Sequence, residues 1–439
     1  MAKQIIFAVT ILFTLGVFAY TINRIIGFFR LTKPAFPIRD IPKRFSVMFN
    51  VAIGQTKILR FPVIGFIHAL VFWGFCLILF GSIEMITDGL SGSEKCLHFL
   101  GPLYSFFTAS GDIFAVIVGI SILVFIVRRV FLHIKRFEGI EMKHVSHLDA
   151  KIALSMILFL MVSLSGMNLA YVSTARNTGS ELFGVFPFSS LVSGMMSGFS
   201  VSGLKVLYEI CWWSHILMIF IFANVLPYSK HFHVFMSVPN VFLSRLDPLG
   251  KLSNMDSITR EVKLMLYPES ADPSQATEAP AERFGIRDAE DISWKNYMDS
   301  LSCTECGRCT SVCPANITGK RLSPRKIMMD VRARMKVKGP GLIKEGKTFS
   351  DSKSLIRDSI TEEELWACTT CNACARECPI NINQPSLIVD MRRYLVMEEG
   401  VAPGGLKTVF SNIENNGAPW QYSAEDRLNW AKDLKLNVN

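Results

Sequence analysis

Five long apolar stretches crowd into the first 235 residues of a 439-residue chain, and they leave it few ways to fold. They run roughly over 4–29, 61–86, 106–132, 149–172 and 206–229. Each is long enough to cross a hydrocarbon core of about 30 Å, which takes about 20 helical residues. A sixth stretch, 182–203, is apolar but rich in Gly and Ser and holds Pro187, and reads as an interfacial or re-entrant piece. The first run is too long for a signal peptide; Arg24 and Arg30 close it where a small-residue cleavage site would stand.

Half of the residues are hydrophobic and the net charge is +9. A basic balance can mark a nucleic-acid binder, yet no aromatic–basic interleaving or nucleic-acid module accompanies it. The Lys and Arg flank the spans instead, where they face anionic lipid. The first loop holds Arg30, Lys33, Arg39, Lys43, Arg44, Lys57 and Arg60; the third holds Arg128, Arg129, Lys135, Arg136 and Lys143. The second offers only Lys95, and the fourth only Arg176 and Lys205. The positive-inside rule puts the first and third loops in the cytoplasm, the N-terminus outside, and everything after the fifth span in the cytoplasm. The expected location is the cell inner (cytoplasmic) membrane.

That side is reducing, which decides how the 11 cysteines are read. Cys76, Cys96 and Cys211 stand singly. The other eight form two copies of C-x2-C-x2-C-x3-C-P: Cys303, Cys306, Cys309, Cys313-Pro314, and Cys368, Cys371, Cys374, Cys378-Pro379. Three thiolates two residues apart wrap three corners of a cubane, while the fourth, set off by a longer gap and Pro, ligates the other cluster. One [4Fe–4S] cluster is therefore expected on Cys303, Cys306, Cys309 and Cys378, and a second on Cys368, Cys371, Cys374 and Cys313. Zinc sites usually show two separated Cys pairs instead.

The chain divides into a membrane domain over 1–239, a connector and flexible linker over 240–293, an iron–sulfur domain over 294–400, and a tail over 401–439. The linker expectation rests on the Pro-, Glu-, Ala- and Ser-rich stretch 268–291. Ser323-Pro324 predicts a helix to about Met335, and another is expected from about Gln384 to Glu399. No strand-like alternation of useful length appears. The fold class is all-α: a five-helix bundle followed by a helical dicluster ferredoxin-type domain.

Intramembrane histidines are functional by default. His215 and His233 are 18 residues apart, five turns of a continuous helix and about 27 Å, so they share a face at opposite membrane depths. They suit one axial ligand for each of two haems. His68 lies in the cytoplasmic half of the second span and is the natural partner of His233. His231 falls about 160° away and reads as a solvated or headgroup residue. His98 is on the outer side but in a loop, where a ligand role is not expected. Glu84, Asp88, Asp112 and Glu209 near the outer ends are candidates for proton handling, with solvated loop residues as the simpler reading.

The run from His215 through Pro227-Tyr228-Ser229-Lys230 to His233 and Ser237-Val238-Pro239 resembles the last helix of the nitrate reductase gamma subunit, a di-haem cytochrome b. Phe66-Ile67-His68 resembles its second helix. In that family another His follows ten residues on; here the position is Ile78, so the resemblance implies a different outer ligand or no outer haem. The soluble half is similar to the iron–sulfur subunit of the heterodisulfide reductase family, through both cluster motifs and the tail Asn415-Asn416-Gly417-Ala418-Pro419-Trp420 with Asp426-Arg427-Leu428-Asn429-Trp430-Ala431. In these families cysteine-rich CCG modules usually follow. None is present, which implies that the site meeting substrate lies on another polypeptide.

Together the resemblances imply a membrane-anchored electron-transfer subunit of a quinone-linked oxidoreductase complex. It would carry two [4Fe–4S] clusters and one or two haem b groups. Its partners would be menaquinone or another quinone and a cytoplasmic CCG-domain or flavoprotein subunit. A stand-alone quinone-linked dehydrogenase would need a substrate site, and neither a phosphate-binding Gly loop nor a nucleophile elbow is seen. A non-catalytic redox sensor is the third reading.

Overall fold

A computed structural model describes residues 1–270 and 283–434. Among them the chain is helical, with only two isolated bridges, Lys33 to Ser293 and Ile356 to Ile360. Five helices have the length and apolarity to cross a membrane: α1 (Ala2–Arg30), α2 (Pro62–Ser91), α3 (Pro102–Val130), α4 (His144–Thr178) and α5 (Val201–Val225). Proline at the first turn, where its missing N–H costs nothing, opens α2 and α3. Left-handed Gly92 and Gly179 end α2 and α4.

Lipid offers helices no hydrophobic drive toward one another, so they associate by close packing of small residues. A Cβ on Gly166 of α4 would come within 2.8 Å of Cys211 Sγ on α5, so the two helices meet where that side chain is absent. By contrast, α1 runs along the rim, with Val9, Leu12, Phe13 and Tyr20 exposed.

The stretch 182–203 is no sixth span. It breaks into a short helix, Pro187–Val192, and a 3-10 turn, Ser193–Met196, that lie against α3 and α4. Ser189 fastens it: its N–H and Oγ donate to the Asp112 carboxylate at 3.0 and 2.6 Å.

A difference from the sequence expectation concerns α5, which does not continue to His233. Proline removes a helical donor and clashes with the turn before it. At Pro227 the chain passes through two 3-10 turns, with Ser229 extended between them, before α6 (His233–Phe242) begins. The count of five turns between His215 and His233 therefore does not apply.

The iron–sulfur half is built on α7 (Trp294–Ser302), α8 (Pro324–Glu345) and α9 (Gln384–Met397). Ser323 caps α8 as expected, its side chain accepting from the Lys326 N–H. The helix then runs ten residues past its predicted end at Met335, through Pro340. Packing overrides the local signal, because a Cβ on Gly339 would come within 2.6 Å of the Phe28 ring and one on Gly341 would collide with the Phe349 ring.

The linker expectation over 268–291 also needs correction. Residues 271–282 lie outside the described residues, but from Phe284 onward the chain is packed rather than linking. Ile286, Asp288 and Asp291 are buried, and Asp288 receives Arg334 Nε and Nη2 at 2.7 Å and Lys338 Nζ at 2.8 Å. Acidic residues that look solvated in sequence are here the anions of a buried ion network.

One core crosses the boundary between the halves. Phe28 of α1 and Phe232 sit in the same apolar cluster as Tyr297, Leu301, Ile327, Met328, Leu387 and Met391. Phe29 meets Tyr297 edge-on, with ring centroids 4.8 Å apart. At the opposite end of the bundle Lys3 pairs with Glu209 at 2.6 Å. The iron–sulfur half thus stands on the end carrying the basic loops.

Candidate functional site

The two cysteine motifs fold the same way twice. In the first, Glu305 and Gly307 on either side of Cys306 have left-handed backbone, φ 58° and 75°; in the second, Thr370 and Asn372 flank Cys371 with φ 53° and 59°. Two left-handed residues around the middle cysteine wind each loop into a cup. An arginine from the helix after each motif then holds its first cysteine. Arg332 of α8 donates to Cys303 O at 3.0 Å, and Arg392 of α9 donates to Cys368 O. Neither arginine stands out in the sequence; what marks them is only their recurrence on the helix after each motif.

The structure brings the cysteines of the two motifs close together. A cavity with about 320 Å³ of empty space is lined by Cys313, Cys368, Cys371 and Cys374. Around Cys309 the nearest charged neighbours are Cys306, Cys303 and Cys378, with Cys374 next, so the two groups adjoin. Among the described residues no three His, Cys, Asp or Glu side chains converge tightly enough for a single ion. Thiols spaced around a void suit a cubane, with an iron at each of four corners, better than one tetrahedral ion. Burial pushes the Cys303 thiol up to about 11 and those of Cys374 and Cys378 up to about 12. Metal charge is what would turn such thiols into thiolates. Cys371 is the exposed member of the eight, while Cys303, Cys309, Cys313, Cys374 and Cys378 are buried.

The first set is docked on the membrane half through its own loop. Arg308 donates to Lys57 O at 3.0 Å and lies 4.4 Å over the Phe61 ring. Lys57 Nζ donates to Cys378 O at 3.1 Å. A Cβ on Gly307 would collide with Arg136 O, so only glycine lets the third loop approach this closely. Behind it, Arg325 and Glu141 form a fully buried pair at 2.6 Å, and Arg325 also donates to Arg136 O and Glu138 O at 2.7 and 2.6 Å.

Two of the three predicted histidines meet at this seam. His68 has His233 and Arg308 as electrostatic neighbours, and its Nδ1 is a buried nitrogen with no hydrogen-bond partner among the described residues. His233 turns Nδ1 to Lys230 O at 3.2 Å, which leaves Nε2 to face elsewhere. A ring nitrogen fixed on a backbone carbonyl is the usual support of a ligating imidazole; His233 has that support and His68 does not. Lys230 links this pair to the cysteines: its Nζ reaches the carboxylate of Glu305 at 3.3 Å, and Arg332 bonds the same carboxylate. Glu305 sits between Cys303 and Cys306, at a position that no motif marks.

His215 is elsewhere, buried in the outer half. Its Nδ1 meets Leu160 O and Ser163 Oγ, both at 3.0 Å. It lines a cavity of about 610 Å³ of empty space together with Ile78, Glu84, Lys95, Tyr208 and Trp212. Among the described residues no second histidine lines it. His231 is not the solvated residue expected: half-buried, it holds Ser229 Oγ at 2.9 Å and lies 3.7 Å from Asp149. Burial lowers its pKa to about 3, with His233 adding to the effect. His98 is a loop residue, as expected, with Nδ1 on Lys95 O at 2.9 Å.

The four acidic candidates separate by partner. Asp88 accepts from the N–H groups of Lys95 and Cys96 at 3.0 and 2.9 Å, Asp112 holds Ser189 and Asn168, and exposed Glu209 pairs with Lys3. Glu84 is buried, and one of its oxygens, Oε1, has no hydrogen-bond partner among the described residues.

A family model described as a 4Fe-4S dicluster domain matches residues 302–382. The chain is 29% identical to a probable iron-sulfur-binding oxidoreductase FadF of Bacillus subtilis, over 98% of this chain and 61% of that protein. It is 27% identical to an EtfAB:quinone oxidoreductase of Syntrophomonas wolfei, over 89% of this chain and 54% of the relative. A shorter match, 32% identical, covers 34% of this chain and 37% of a component of the dihydromethanophenazine:CoB–CoM heterodisulfide reductase of Methanosarcina mazei. The chain thus spans between about half and three fifths of the length of its first two relatives. No solved structure matches. The protein is similar to iron–sulfur oxidoreductases and carries a 4Fe–4S dicluster domain beside five apolar helices of membrane-crossing length.

Proposed function

We propose that this protein is a membrane-anchored electron-transfer subunit that passes electrons between a cytoplasmic redox partner and the quinone pool. The observation that carries this is the seam. The loop of Cys303, Cys306 and Cys309 is bonded to both histidine-bearing segments, through Glu305 to Lys230 beside His233 and through Arg308 beside His68. Cys303, Cys306, Cys309 and Cys378 would hold one [4Fe–4S] cluster, Cys313, Cys368, Cys371 and Cys374 the other, and His68 with His233 a haem b. When bound, these groups supply one-electron carriers.

The chain's own residues do the rest. Exposed Cys371 presents an entry point for a partner, and the quinone oxidoreductase relative supports the lipid-soluble acceptor. Arg332 and Arg392 fix the loops, and buried ion pairs at the seam hold the carriers at constant separation. The basic loops under the iron–sulfur half support a cytoplasmic placement of that half and an N-terminus on the opposite side.

Dithionite-reduced membranes containing the chain should show a b-type band that His68→Ala abolishes. In paramagnetic resonance Cys378→Ala should remove one cubane signal and Cys313→Ala the other. A band that survives His68→Ala would refute the histidine assignment, and loss of both signals from either Cys variant would refute the crossed sets.

A further inference from the structure

The outer cavity takes no part in the seam, and its polar groups are unevenly satisfied. Asp88 and Asp112 have full sets of donors, which makes them structural. Glu84, 4% exposed, keeps Oε1 unbonded among the described residues while Lys95 Nζ stands 3.5 Å from Oε2. The buried Tyr104 hydroxyl is the hydrogen-bonding neighbour of Glu84, in poor geometry. A buried carboxylate oxygen so poorly supplied with donors is unfavourable, so its retention points to a donor that arrives with a ligand.

Lys95 itself is held in left-handed backbone, φ 58°, by the two bonds of Asp88, and its ammonium lies 5.1 Å over the Tyr171 ring. Strain of this kind in a non-glycine residue clusters at ligand sites. Across the cavity His215 has Nδ1 committed to Leu160 O, leaving Nε2 as the acceptor. Ile78, Phe80, Phe107, Leu164 and Trp212 form apolar walls between the two acceptors.

We infer that this cavity binds the ring of a quinone, with Glu84 and His215 as the acceptors for its two oxygens' protons, and that His215 is not a haem ligand. The inference rests on the proposed electron-transfer role and deepens it. Written for the quinol, one hydroxyl proton passes to Glu84 Oε1 and the other to His215 Nε2. The two electrons leave one at a time to the carriers of the seam, and quinone remains. Reduction of quinone runs the same steps backward, with the same two protons and two electrons. Lys95 stabilises the carboxylate between turnovers. Ile78 lies about 15 Å along α2 from His68, so the cavity and the seam are separated by a single short step.

The test uses the full chain in detergent, kept anaerobic, with the reduced 2-methyl-1,4-naphthoquinol as probe. Binding is read by tryptophan quenching, since Trp212 lines the cavity, and haem is counted per chain as its pyridine complex. One haem per chain is expected, unchanged in His215→Ala. Naphthoquinol affinity should fall about tenfold in Glu84→Gln, the loss of about one charge-assisted hydrogen bond from the quinol hydroxyl. It should fall further in Ile78→Trp, which fills the space, with both cubane signals retained as proof of folding. The inference is overturned if His215→Ala lowers the haem count, or if Glu84→Gln and Ile78→Trp bind the probe as wild type does. Loss of the b-type band in His68→Ala is independent of every one of these outcomes, so failure here and failure of the electron-transfer role are told apart.

Discussion

The two ends of the helical bundle solve opposite problems. At the seam with the iron–sulfur half, buried charges are paired: Arg325 with Glu141, Lys230 with Glu305, Arg332 with Glu305. At the far end the Glu84 carboxylate and the His215 imidazole line a cavity, and Glu84 Oε1 has no hydrogen-bond partner among the described residues. Saturated networks fix geometry; unsaturated ones receive ligands. The first end is built to keep distances constant and the second to exchange a molecule.

This contrast can be broken most forcefully at the seam. Arg325→Met removes one member of a fully buried pair and leaves Glu141 uncompensated, which should cost about 3–5 kcal/mol. Limited proteolysis should then release the iron–sulfur half at denaturant concentrations that leave wild type intact; equal resistance would show that the seam is held by its apolar core alone. The far end should be more forgiving. Ser189→Ala takes one hydroxyl from Asp112 but leaves a backbone N–H in place, so about 1–3 kcal/mol is expected from thermal unfolding in the same detergent. A loss as large as that of Arg325→Met would reverse the contrast.

A smaller effect sharpens it. Glu305→Gln keeps the shape of the residue between Cys303 and Cys306 but deletes its charge. The adjacent cubane, which gains negative charge on reduction, should become easier to reduce by tens of mV in a spectroscopic redox titration, roughly what a partly compensated charge at this range supplies. A shift to lower potential, or none, would mean that Lys230 and Arg332 already cancel it. The smallest expected effect concerns the scaffold behind the seam. Arg334 bonds Asp351 and holds its carboxyl down at about 2. A lowered carboxyl stabilises the fold above its unfolded value of about 4 and ceases to as pH falls through about 2. Asp351→Asn should therefore flatten the acid limb of stability over that window, read by chemical unfolding at a series of pH values. An acid limb as steep as that of wild type would remove Asp351 from the account.

How much of this was legible in the sequence depends on whether the signal was local. Hydropathy marks the five spans because a run of apolar residues has one reading in lipid. The cysteine spacing suggests the crossed sets because the constraint is a short loop, and Cys313, Cys368, Cys371 and Cys374 line common space in the fold. Pro227 and Pro340 show the limit. Both are helix-breaking residues, yet the first ends a helix and the second does not, since Phe28 and Phe349 pack on the glycines beside Pro340. The acidic run before Trp294 misled for the same reason: its partners, Arg334 and Lys338, lie more than 40 residues further on. Glu305, Arg332 and Arg392 carry no motif, and only their meeting in space gives them meaning.

Phe28 has a consequence for how the molecule comes into being. It belongs to the first helix made, but the residues it packs against, Tyr297 and Gly339, are synthesised some 270 to 310 residues later. Such long-range contacts close late and leave their surfaces open meanwhile. The iron–sulfur half therefore completes its core only against an α1 already in place, and membrane insertion becomes a checkpoint on the maturation of its cysteine sites.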